Sequence, residues 1–115
     1  MDLMLAIDDR GHLACTLVDR ADTATVLAAD PDGATSDLQA ALADAAESGY
    51  GECVWPLTDG EYRWLFRRKG DTTDVAVVWS SGVIAGYEHV FRGEINSRTL
   101  EARVAEELER LRAAR

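Results

Sequence analysis

Glu61-Tyr62-Arg63-Trp64-Leu65-Phe66-Arg67-Arg68-Lys69-Gly70-Asp71-Thr72-Thr73-Asp74-Val75-Ala76-Val77-Val78-Trp79 sets two runs of β-branched and aromatic residues on either side of a polar, glycine-containing turn. This is the pattern of a β-hairpin. Side chains alternate across a strand, so Tyr62, Trp64 and Phe66 share one face of the first run, and Val75, Val77 and Trp79 share one face of the second. That aromatic face is the expected core. Arg63, Leu65, Arg67 and Val78 fall on the opposite face.

Upstream, Gly51 to Leu57 reads as a short strand with Cys53, Trp55 and Leu57 on one side, and Pro56 marks an edge or a strand end. Downstream, Ser80-Ser81-Gly82 and Gly86 isolate Val83-Ile84-Ala85, after which Tyr87 to Ile95 alternates again. Strict alternation puts Tyr87, His89, Phe91 and Ile95 on one face and Glu88, Val90, Arg92 and Glu94 on the other. The outer face of the assembled sheet then combines Val54, Leu65, Val78 and Val90 with Arg63, Arg67, Lys69, Arg92, Glu88 and Glu94. An apolar centre with a charged rim suits a partner-binding patch, and it equally suits a face covered by a helix.

Further out, Leu3, Leu5 and Ile7 alternate with smaller or polar neighbours, and Asp8-Asp9-Arg10-Gly11 supplies turn chemistry. His12 to Val18 forms a second strand with Cys15 among Leu13 and Leu17, and Thr23 to Ala29 a third. Asp30-Pro31-Asp32-Gly33 reads as a turn, after which Thr35, Ser36 or Asp37 caps an alanine-rich helix with Leu38, Ala41, Leu42 and Ala45 at helical spacing. Gly49 ends it. Asn96 or Ser97 starts a final helix with an apolar stripe of Leu100, Val104, Leu108 and Leu111, on which Glu106 and Arg110 form a favourable i,i+4 pair. The expected fold is a single α+β domain, residues 1–115, in the order βββαββββα: a largely antiparallel sheet of about six or seven strands with helices at about 34–48 and 97–114.

The 115 residues are 47% hydrophobic and carry a formal charge of −9, enough apolar material for a core without disulfide or metal staples. Charge is segregated: residues 1–60 hold two arginines against twelve carboxylates, and residues 61–115 hold ten basic against nine acidic groups. Such a balance argues against nucleic acid as a partner, since phosphate neutralisation needs clustered cations. The first residues lack the basic start and length of a secretory signal, no run approaches the roughly 18 apolar residues of a membrane span, and Cys15 and Cys53 are the only cysteines. The expected location is cytoplasmic, with no membrane partner.

Chemistry is sparsely signalled. His12 and His89 are the only histidines, and His89, between Tyr87 and Phe91, reads as a structural residue or as the centre of a small-ligand pocket shared with Tyr87. Cys15, Cys53, His12, His89 and Asp8 lack the close spacings of a zinc site. Ser80-Ser81-Gly82 lacks the glycine before the serine of a nucleophile elbow, and no phosphate-binding glycine pattern occurs. No catalytic residue, metal or cofactor is assigned.

Three functional expectations result. The first is a small acidic, non-enzymatic binding or regulatory protein, with an immunity-type inhibitor of a basic partner as its concrete form. Its contact residues would be Arg63, Leu65, Arg67, Val78, Val90 and Arg92. The second is a ligand-binding protein or enzyme with a pocket near His89, and the third a self-associating domain, a homodimer in its simplest form.

Overall fold

A computed structural model of the chain describes residues 1–20, 22–83 and 86–114. Two antiparallel meanders are separated by one helix and followed by another: β1 (Asp2–Ile7), β2 (Leu13–Asp19), β3 (Asp22–Ala28), α1 (Pro31–Ser48), β4 (Tyr50–Leu57), β5 (Gly60–Lys69), β6 (Thr72–Ser81), β7 (Glu88–Asn96) and α2 (Ser97–Ala114). The fold is α+β in the order βββαββββα, and its seven strands divide into a sheet β1-β2-β3 and a sheet β4-β5-β6-β7. Of the isolated segment Val83-Ile84-Ala85, the last two residues lie outside the described ones.

Every element contributes to one core, in which Leu5, Leu13, Cys15, Leu17, Val26, Leu38, Trp55, Trp64, Phe66, Val77, Phe91 and Leu100 are almost wholly buried. Trp64 stands between Trp55, at 4.9 Å between ring centroids, and Phe66, at 5.9 Å. The Trp55 indole N–H donates to the Ala34 carbonyl at 3.2 Å and so ties β4 to the first turn of α1. Gly51 permits the closest approach of these two elements: a Cβ there would overlap the Ala41 carbonyl oxygen. Both helices therefore lie on the inner side of the strands.

α1 begins three residues before the expected start at 34, because Asp30-Pro31 is a helix start and not a turn. Asp30 is extended at the N-cap with φ −112°, and Pro31 takes the first helical position, where its missing N–H costs nothing. Gly49, with φ 89°, closes the helix in the left-handed conformation. At α2, Asn96 Oδ1 accepts the Thr99 N–H at 3.1 Å.

The outer edge of β1 is sealed by side chains. The Leu5 N–H donates to Glu107 Oε1 at 2.8 Å, and the Arg110 guanidinium donates to the Leu5 carbonyl and, at 2.9 Å, to Glu107. Arg103 donates to Glu107 at 3.1 Å and to Asp2 at 2.7 Å. Glu107, only 4% exposed, thus stands in for a neighbouring strand. Arg110 pairs with Glu107, and Glu106 with Arg103, so the anticipated Glu106–Arg110 pair is not the one formed: the buried acid, facing the strand edge, captures the arginine.

Candidate functional site

Neither helix covers the outer face of the four-stranded sheet. The strand register arranges it in rows that run across all four strands. One row is Tyr50, Arg67, Asp74, Glu94; the next is Glu52, Leu65, Ala76, Arg92; the third is Val54, Arg63, Val78, His89. Leu65, Ala76, Val54 and Val78 are half-buried, with Arg67, Arg92, Glu52 and Glu94 exposed around them. A depression of about 320 Å³ sinks into the first two rows, lined by Tyr50, Leu65, Arg67, Asp74, Ala76 and Arg92.

Charges on this face are unevenly satisfied. Arg63 is held between Glu52 at 3.5 Å and Glu61 at 3.4 Å, with its guanidinium carbon 5.5 Å from the centre of the Tyr87 ring. Its Nε is buried and unpartnered among the described residues. Tyr50 donates its hydroxyl to Glu52 at 3.1 Å, and burial first, then that bond, raises its phenol above the usual range. Arg67 and Arg92 have no carboxylate within 4.0 Å among the described residues, whereas Asp74 and Glu94 lie directly opposite one another on adjacent strands and repel. Lys69, 69% exposed and 4.0 Å from Asp74, partly offsets that pair.

The expected contact residues are thereby sorted. Leu65, Arg67 and Arg92 line the depression, while Arg63 and Val78 sit beside it in the next row. Val90 leaves the site. The ladder pairs Val77 with Phe91 but Val78 with His89, so Val90 is the extra residue of a β-bulge, and it packs against the core. The same bulge breaks the alternation that placed Tyr87 and His89 with Phe91: Phe91 stays inside, whereas His89 and Tyr87 stand exposed, Tyr87 by 56%. Tyr50, Asp74, Ala76 and Glu52 were missed as site residues. Which residues share a row depends on register, which alternation within one strand does not reveal.

His12 lies in the β1–β2 turn, where Asp8 Oδ1 accepts the backbone N–H groups of Arg10 and His12, each at 2.9 Å. These bonds, the one from His12 foremost, hold the Asp8 carboxyl below its usual value. Cys15 and Cys53 are free and buried. Burial pushes both thiols up, Cys53 to about 12, which keeps them protonated and poor nucleophiles. Among the described residues no three His, Cys, Asp or Glu side chains gather as a metal would require, and no helix is long and apolar enough to cross a membrane. In comparisons with protein-family models, curated proteins and solved structures, nothing matches the chain.

Proposed function

We propose that this protein is a non-enzymatic binding module that works through the outer face of β4–β7. The observation that carries this reading is the combination, within one depression, of a half-buried apolar floor, Leu65 and Ala76, with two arginines that no carboxylate of the described chain satisfies. An apolar centre gains by being covered, and an arginine with open donors selects a partner that brings acceptors.

The test is retention of a partner by tagged protein at low salt, compared with a Leu65→Glu variant that keeps the native circular dichroism spectrum. A stoichiometric partner, a second copy included, accompanies the parent and is lost from the variant. A partner retained equally by both, or by neither, removes the proposal.

The reading as an inhibitor of a basic partner draws on a different surface. α1 carries Asp32, Asp37, Asp44 and Glu47 and no lysine or arginine, so its exposed side would attract a cationic protein. This acidic helix belongs to the other sheet face and is separable from Leu65 by mutation.

A further inference from the structure

We infer that the partner seated on the outer face of β4–β7 is a second copy of this chain, related by a two-fold axis that lies along the strands between β5 and β6. This rests on the reading of that face as the binding surface and names its occupant. A half-turn about such an axis places over each β5 residue the partner's cross-strand neighbour on β6, and over each β4 residue the partner's residue from the same row on β7. The observed register then determines every match. Arg67 meets Asp74, Glu52 meets Arg92, Tyr50 meets Glu94, and Leu65 meets Ala76, each twice by symmetry.

Both arginines left without carboxylates in one chain acquire one from the other. Asp74 receives a guanidinium, which relieves its repulsion with Glu94, and the apolar floor is closed over itself. A chain of charge −9 has few surfaces on which two copies can meet without mutual repulsion. Here four carboxylates, Glu52, Glu61, Asp74 and Glu94, are balanced by Arg63, Arg67, Lys69 and Arg92. Strands about 4.8 Å apart, carrying four same-face residues each at about 6.8 Å intervals, give a footprint of roughly 500 Å² per copy. That is the low end for a specific interface, so the dimer is reversible and salt-sensitive.

Glu52 and Arg92 supply the decisive test, because they sit on opposite edge strands and cannot compensate each other within one copy. Sedimentation velocity across a concentration series at low salt follows the parent, Glu52→Lys, Arg92→Glu, and an equimolar mixture of the two variants. The parent dimerises, and each variant alone, bringing like charges together twice, weakens dimerisation at least about tenfold. The mixture, in which both contacts are again of opposite sign, recovers dimers to within about threefold of the parent. A parent monomeric at about 1 mM, or a mixture that stays as weak as its components, overturns the inference. So does a parent dimer untouched by either substitution. None of these results bears on whether Leu65→Glu loses a different protein, so the two proposals fail separately.

Discussion

Glu107 is an acid where the apolar stripe of α2 calls for a leucine, flanked by Val104, Leu108 and Leu111 and nearly closed off from water. The Arg110 guanidinium is the chief influence; working against burial and aided by the Leu5 N–H, it holds the carboxyl down to about 2. A pKa depressed on folding means stability that is complete above the unfolded value, about 4.5, and is lost as pH falls through 2. The associated free energy is on the order of 3 kcal/mol. Glu107→Gln is expected to lower stability by about that much at neutral pH and to flatten the acid limb between pH 4.5 and 2, as read by urea unfolding at several pH values. The stripe legible in the sequence is Leu100, Val104, Leu108 and Leu111 without Glu107, and nothing local announces the partner of Glu107, since Leu5 lies 102 residues away. Cys15, by contrast, was legible as a buried thiol from its two leucine neighbours alone.

At the scale of elements, the decisive contact is α1 on β4, where the helix backbone passes directly over Gly51. Gly51→Ala puts a methyl against the Ala41 carbonyl, a backbone atom fixed by helical hydrogen bonds, so one element must move. Such overpacking is expected to cost at least about 2 kcal/mol in denaturant titrations. Gly82→Ala, which meets only open space, should leave the midpoint nearly unchanged. Strand and helix types were readable because alternation and helical spacing report directly on which side is buried. The Asp30-Pro31 start was harder: the same dipeptide opens turns and helices, and only the residues after it decide between them. Val90, expected on the outer face, packs against the core for a sharper reason. Period-two reasoning assumes an unbroken ladder, and a bulge reverses every face assignment beyond it. This is why His89 moved from an expected core face to an exposed surface.

Across the whole molecule, the first strand depends on the last helix. Leu100, Val104, Leu108 and Leu111 are all buried, and burying four such side chains contributes roughly 6–12 kcal/mol, comparable to the entire net stability of about 5–15 kcal/mol of an ordinary domain. A chain ending at Asn96 is therefore expected to lose fixed tertiary structure, seen as collapse of the near-ultraviolet dichroism of its three tryptophans while some strand signal survives. The division into sheets of three and four strands was beyond sequence reasoning: neighbouring hairpins announce themselves, but no local pattern says whether β3 continues into the sheet on the far side of α1.

The Glu107–Arg110 clasp on β1 also has a timetable. At translation rates of about 5–20 residues per second, the hundred residues separating Leu5 from its cover take roughly 5–20 s to appear. Throughout that interval the nascent β1 carries an open strand edge beside the exposed Met4. The growing polypeptide is thus most vulnerable to wrong pairing on the ribosome, before its own carboxyl-terminal guard has been made.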